Sequence, residues 1–371
     1  MEITSMNGGD NQYSYVKYSL LQRIGVDSSK VMIEEAIADK LDIQDLKNSF
    51  ETFRIADFGC SVGPDTFIAV HNIIQALDLK YNSRYHQTAG GLVSSDNTTT
   101  PEYHVSFSDN TFNDFNTLFA SLPERKYLVS GVPGSFYNRL FPRDSLHFVH
   151  TSFALHFLSG VPKEVVDINS PAWNKGRIHY TNAPNEVVAA YTAQHAVDMK
   201  AFLCARAQEI VCGGLMVMLI PAIPDGTSPS LSHPGILSDL LGSCLMDMAK
   251  MGLVDEDKVD LFNLPVYSTS PKEVKDAVEN NGCFSIERME TTLVPPSVMD
   301  IGASNIAEIY NDHVRAVGEG IIKEYFGNDI TEKLFELYPK KLADSLSILA
   351  SGKSSLLFVL LKRTKLPLQN E

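Results

Sequence analysis

The stretch FRIADFGCSVGPDTFIAVHNIIQAL, Phe53 to Leu77, decides the fold. The short apolar run Ile55-Ala56, followed by Asp57 and Phe58 and closed by a glycine, has the length and boundary of a buried strand. Gly59 and Gly63 enclose Cys60, Ser61 and Val62. Pro64 stands where a helix can begin, because its missing N–H costs nothing in a first helical turn. Phe67, Val70, Ile73, Ile74 and Leu77 then recur at helical spacing. The stretch therefore reads as strand, glycine turn, helix. Such a turn lets a ligand approach the backbone and aims helix N–H groups at it. Open α/β sheets bind their ligands at this edge.

Three chemistries use a turn of this kind. A dinucleotide fingerprint wants G-x-G-x-x-G, and Gly59 to Gly63 supply only G-x-x-x-G, so the nicotinamide reading is weak. Gly59-Cys60-Ser61-Val62-Gly63 matches the G-x-S-x-G nucleophile elbow in the right context, which makes a serine esterase through Ser61 a real competitor. Against it, only helical pattern precedes the elbow, leaving no strands to build an oxyanion loop. The last histidine, His313, falls in the helical pattern NDHVRAV. The third chemistry is binding of S-adenosylmethionine. Tyr103–Phe107 alternates and runs into Ser108-Asp109, a strand with a carboxylate at its tip. Beside a glycine loop, that carboxylate can accept both ribose hydroxyls of a nucleoside. Alone, Asp109 would more plainly cap the next helix; combined with the turn, it favours the nucleoside.

Outward from this centre the pattern alternates. Ser28-Ser29 can cap a helix running to Leu41, and a polar loop spans Ser83 to Pro101. Asn113–Leu122 and Asn185–Val211 read as helices. Lys126–Val132, Leu146–Val149, Leu215–Ile220, Phe284–Leu293 and Leu356–Leu361 complete a set of seven strands with the two already read. This is an α/β fold, a Rossmann-like and mostly parallel sheet covered on both faces. Residues 1–224 form the core, completed by the strands at 283–294 and 353–371. Residues 225–282 and 295–352 read as a helical cap standing over it. The chain has 371 residues and 44% hydrophobic residues, enough for such a core. Its net charge of −14 and the lack of any basic run argue against nucleic acid as a partner. Cys60, Cys204, Cys212, Cys244 and Cys283 are odd in number and scattered, as free thiols in a reducing compartment would be. No apolar run is long enough to span a bilayer, and the first residues lack a signal core. A cytoplasmic protein without membrane association is expected.

Seven segments together resemble one family, the plant SABATH methyltransferases. They are MNGGDNQYSY near the start, IADFGCSVGPD, NDFNTLF at 113–119, GVPGSFYNRLFPRDSLHF at 131–148, SFALHFLS at 152–159, RAQEIVCGGLMV at 206–217 and DLFNLP at 260–265. The resemblance covers nearly the whole chain. It implies transfer of a methyl group from S-adenosylmethionine to a small carboxylic acid or, in one branch, to a xanthine alkaloid nitrogen. By the same resemblance Tyr15, Cys60, Asp65, Asp109, Asn110, Ser135 and Phe136 hold the cofactor. Gln22, Phe153, His156 and Phe157 line the acceptor pocket, with Gln22 and His156 orienting the carboxylate and His156 adding charge if protonated. Asn174, Asp260, Phe262 and Asn263 match a magnesium site, and a structural turn at DLFNLP accounts for them equally well. A homodimer is implied too. If Phe153 starts a helical turn, residues 153, 156 and 157 share one face.

Four positions depart from the family pattern. Asp65 stands where Asn is usual, adding a negative charge near the methionine moiety, and Tyr18 also replaces Asn. Either can weaken cofactor binding, and together they leave room for a non-catalytic relative. Phe153 and Phe157 replace the Tyr and Trp usual in acid-methylating members. The lost hydroxyl and indole N–H lead us to expect an apolar acid, long-chain or terpenoid, instead of salicylate.

Overall fold

The computed structural model describes residues 6, 8–9, 13, 15–43, 52–88, 101–293, 303–353 and 355–365. Its seven strands are β1 Thr52–Phe58, β2 Glu102–Asp109, β3 Leu128–Pro133, β4 Leu146–Ser152, β5 Ile210–Ala222, β6 Phe284–Leu293 and β7 Ser355–Arg363. They form one sheet in the order β3-β2-β1-β4-β5-β7-β6. β1 pairs in parallel with β2 and β4, β2 with β3, and β4 with β5. β7 runs antiparallel between β5 and β6. The helices are α1 Tyr15–Tyr18, α2 Leu20–Lys40, α3 Pro64–Thr88, α4 Phe115–Ala120, α5 Asn185–Glu209, α6 His233–Lys250, α7 Glu256–Asp260, α8 Pro271–Asn281, α9 Ala303–Phe326, α10 Asn328–Asp344 and α11 Leu346–Ser351.

Alternation along β1 sends its side chains to two separate cores. Ile55 joins Ile33 and Ile37 of α2 and Phe67, Val70 and Ile73 of α3 on one face. Ala56 and Phe58 meet Met199, Phe202 and Leu203 of α5 on the other. β5 is apolar on both faces and buried from Leu215 to Ile220, as a central strand covered by helices must be. Each such fully buried Leu, Ile or Phe contributes about 1.5–3 kcal/mol relative to exposure. A third cluster, including Ile236, Leu241, Leu245, Ile322, Leu334 and Tyr338, welds α6, α9 and α10 into a cap of their own.

Several boundaries differ from the sequence reading. Ser28 and Ser29 do not cap a helix; they lie inside α2, and their hydroxyls bond back to the carbonyls of Gly25 and Val26. α3 continues to Thr88, so the expected loop from Ser83 begins as helix, and its residues 89–100 lie outside the described residues. α8 packs on the sheet side: Val274 and Val278 belong to the same core as α5 and β6. It therefore does not belong with the cap, whose first segment ends before it.

Candidate active site

From β1 the chain steps outward to β2 and β3, then returns to β4 on the other side of β1. Strand order reverses there, which opens a crevice at the carboxyl ends of β1 and β4. Gly59 turns the chain at φ +78, and a Cβ on it would sit 2.3 Å from Cβ of Ala154, so no other residue fits. The amides of Gly59 and Cys60 both donate to the Ser108 carbonyl of β2, at 2.8 and 3.2 Å. Ser61 follows at φ +50 and donates its amide to Oδ2 of Asp109 at 2.7 Å. The amide of Asn110 donates to Oδ1 at 2.7 Å. Each carboxylate oxygen keeps a further acceptor site, which suits a ribose diol. Burial pushes the Asp109 carboxyl up to about 6 against the pull of those two amides, leaving it ionised at neutral pH.

Three compartments meet at this crevice. The first is a groove of about 260 Å³ lined by Tyr15, Asp109, Asn110, Ser135 and Phe136, the residues expected to hold the nucleoside. The Phe136 ring is set against Tyr137 at 4.7 Å and edge-on to Phe202 at 6.1 Å. Its loop is fixed by a fully buried ion pair at the end of α5. Arg206 Nε lies 2.6 Å from Glu209 Oε2, and the guanidinium donates to the carbonyls of Phe136 and Asn138 at 2.8 and 3.0 Å. Glu209 accepts from the amides of Leu140 and Phe141. The sequence reading missed this pair, because its partners lie far away along the chain. It missed Asn113 also, which donates to the Ser61 carbonyl at 3.1 Å.

The second compartment is a chamber of about 30 Å³ lined by Tyr15, Gln22, Asp57, Cys60, Ser61, Asp65, His150 and Ser152, among others. Asp65 Oδ1 accepts from Arg23 Nε at 2.7 Å, so the charge that an aspartate adds here meets a cation. Tyr18 faces elsewhere: its carbonyl accepts from His313 Nδ1 at 3.1 Å and its hydroxyl bonds to Asp312, tying α1 to α9. The Cys60 thiol is pushed well up by burial, then by Asp109 and Asp57, and stays protonated. Asp57 and His150 pair at 2.7 Å, two-thirds of a hydrolase triad. However, Nε2 of His150 has no partner among the described residues, and the Ser61 hydroxyl is directed to the Met6 sulfur at 4.0 Å. No base is placed on Ser61, and the esterase reading loses its chemistry.

The third compartment is a cavity of about 580 Å³ between the sheet edge and the cap. Gln22, Phe153, His156 and Phe157 all line it, as expected. Gln22 does so from α2, and the other three from a turn, not a helical face: Phe153 sits at φ +51, and the Phe157 amide donates to the Ala154 carbonyl. Gly25 makes room for the Phe153 ring, since a Cβ there would lie 2.6 Å from it. Phe153 and Phe157 are shared with the first groove, and Gln22 with the small chamber. The Tyr137 hydroxyl bonds the Phe157 carbonyl at 2.6 Å, linking the two loops. Burial, then neighbouring His313, pushes His156 down to about 3. It is neutral at physiological pH, so the condition for it to add charge is not met. His313 and His233 also line the cavity, brought in from the cap by tertiary packing alone.

Asn174, Asp260 and Asn263 meet at a buried junction. The Asn174 amide donates to Asn263 Oδ1 at 2.7 Å, and the Gly176 amide donates to Asp260 Oδ1 at 2.7 Å. Phe262 is buried beside them in the cap core. Among the described residues no group of three or more His, Cys, Asp or Glu could hold a metal. The donor set is one carboxylate with amide and carbonyl oxygens, of which Asn174 Oδ1 is buried without a partner.

A reversed-order sheet with a glycine turn after β1, an aspartate at the tip of β2 and an aromatic loop beside them is the arrangement of S-adenosylmethionine-dependent methyltransferases. The model of the family described as SAM dependent carboxyl methyltransferase matches residues 1–364. Loganic acid O-methyltransferase of Catharanthus roseus is 43% identical, over 98% of this chain and 95% of its own length. Farnesoic acid carboxyl-O-methyltransferase of Arabidopsis thaliana is 38% identical, over 97% and 98%. A solved loganic acid methyltransferase with SAH superposes with a TM-score of 0.89 at 43% identity, covering 97% of this chain and 99% of the other. The chain belongs to the SAM-dependent carboxyl methyltransferase family, the SABATH enzymes, and methylates a carboxylate to its methyl ester. No helix among the described residues is long and apolar enough to cross a membrane.

Proposed function

We propose that the acceptor is a predominantly apolar carboxylic acid, long-chain or terpenoid, bound under the helical cap formed by residues 225–270 and 303–351. The observation that carries this reading is the 580 Å³ cavity, walled largely by apolar side chains such as Leu237, Leu241, Val314, Ile321 and Leu356, which adjoins both cofactor compartments. Relatives named for loganic and farnesoic acids support the acceptor class.

Bound S-adenosylmethionine supplies an electrophilic methyl carbon on a sulfonium. A carboxylic acid with pKa about 4 arrives ionised, so no residue need act as general base. What this chain supplies is alignment: holding the carboxylate in line with the methyl can be worth roughly 7–11 kcal/mol of the barrier. Gln22 offers its amide N–H₂ and neutral His156 a ring N–H to the carboxylate. Phe153 and Phe157 close the junction between groove and cavity and exclude water. A panel of farnesoate-like, loganate-like, benzoate-like and indole acids, with xanthines as the nitrogen-acceptor control, tests the reading. Turnover concentrated on the terpenoid acids is expected, and a preference for salicylate or a xanthine would overturn it.

Asp260, Asn174, Asn263 and the Phe262 carbonyl fit a weakly held magnesium ion with a structural role and no part in the transfer. A homodimer in the cytoplasm is the assembly we attach to this reading; a monomer by light scattering would remove the dimer.

A further inference from the structure

The turn that brings Phe153, His156 and Phe157 to the junction of the compartments does not hold itself. It opens on Phe153 in the left-handed region, at φ +51, where a residue with a ring is strained. Such strain persists only where the surroundings fix it. Three backbone bonds contribute. The Phe153 amide donates to the Leu219 carbonyl of β5 at 2.9 Å, and the Leu158 amide to the Pro265 carbonyl and the Tyr267 amide to the His156 carbonyl, both at 2.8 Å. The closing end is held by a side chain. Ser159 donates its amide to Asp198 Oδ2 at 2.8 Å and its hydroxyl to Oδ1 at 2.6 Å, so one carboxylate takes both donors of one residue. Gln194 Nε2 donates to Oδ1 as well, at 2.9 Å. All three donors are neutral. Asp198 lies on α5, 3% exposed, and lines none of the three compartments. A buried carboxylate answered by neutral donors is costly to keep. This one reaches the site through Ser159, two residues beyond Phe157.

We propose that Asp198 is a positioning residue for methyl transfer: its hold on Ser159 sets where His156 and Phe157 stand, and so the line from the acceptor carboxylate to the methyl carbon. This rests on the acceptor reading of the turn and goes beyond it. A direct displacement is sensitive to such a hold, because a shift of about 1 Å at the reacting atoms can cost about 100-fold in rate. Tyr137 acts on the same turn, through its hydroxyl on the Phe157 carbonyl at 2.6 Å. Burial, then the Asp198 charge, pushes that hydroxyl up, so it stays a donor. The two side chains thus tie the acceptor turn to α5 and to the Phe136 loop.

Asp198→Asn, Ser159→Ala and the double variant test this in the full-length enzyme. The measurements are melting temperature, calorimetry with S-adenosylhomocysteine, and the single-turnover rate with both ligands saturating. The acid is the member of the panel that the parent turns over fastest. Asp198→Asn should slow transfer roughly 10- to 100-fold while S-adenosylhomocysteine affinity stays within about threefold. Ser159→Ala keeps the amide bond and should slow transfer roughly 3- to 10-fold. The double variant should be no slower than Asp198→Asn, because both changes break the same contact. Losses that multiply, cofactor affinity that falls as far as the rate, or a lower melting temperature with the rate intact would each overturn the proposal. If Asp198→Asn does not fold, Ser159→Ala decides alone, and an unchanged rate overturns the proposal. A parent that turns over no acid of the panel would instead overturn the acceptor reading, and this proposal with it.

Discussion

If Asp109 holds the cofactor ribose, replacing it with alanine removes both acceptors offered to the sugar. The structure sets the size of the loss. Each carboxylate oxygen already takes one backbone amide, from Ser61 and Asn110, and has one site left for a hydroxyl. A hydrogen bond to a charged group contributes about 1.5–3 kcal/mol, so two give about 3–6 kcal/mol, roughly 10²- to 10⁴-fold in affinity. The assay is calorimetric titration with S-adenosylhomocysteine, with the melting temperature recorded to show that the variant is folded. The pH axis gives a second reading of the same group. Burial raises this carboxyl to about 6, so the unliganded site is charged above that pH and takes up a proton below it. Ribose hydroxyls donate to the charged form. Affinity should therefore be full above pH 6 and fall as pH drops through it, by roughly tenfold per unit at the limit. A folded Asp109→Ala protein that binds within tenfold of the parent, or a parent with flat affinity between pH 7 and 5, would refute the assignment.

His156→Ala should lower kcat/KM for the acid roughly 10- to 100-fold while leaving S-adenosylhomocysteine affinity within about twofold, since the ring faces only the acceptor cavity; unchanged kinetics would remove it from the site. Glu209→Gln breaks the buried pair with Arg206 and should cost about 3–5 kcal/mol in denaturant unfolding, with weaker cofactor binding from the loosened Phe136 loop. Stability within 1 kcal/mol of the parent would show the loop to be held otherwise. Chelator treatment should lower the melting temperature without changing the single-turnover rate of the remaining folded enzyme, and Asp260→Asn should abolish that sensitivity; a rate that falls with the metal would give the ion a chemical role.

Much of this molecule was legible in its sequence, for reasons that are local. A short apolar run closed by a glycine marks β1, alternation marks β2 and period-3.6 recurrence marks α3 and α5, because such burial patterns need only residues near in sequence. The glycine turn could be read because φ +78 against Ala154 excludes every side chain but hydrogen. Asp109 followed from its place at a strand tip beside that turn. The resemblance then named the remaining groove residues, and the structure brings them to one crevice.

What tertiary structure alone decided depends on residues far apart along the chain. Ser28 and Ser29 look like caps, yet α2 runs through them, because packing of Ile33 and Ile37 on the sheet outweighs a local hydroxyl. The sequence leaves open whether His156 is protonated, and burial beside His313, brought in from α9, pushes it down to about 3. Asp65 reads as an unwelcome charge until Arg23 is found 2.7 Å away. The sequence by itself determined the strand–turn–helix frame and the seven strands, since those rest on short-range pattern and steric exclusion, while the cofactor class came from the family resemblance of its motifs. The protonation state, charge balance and shape of the acceptor cavity were decided only by folding, because desolvation and Coulomb energy depend on which distant groups share a low-dielectric space.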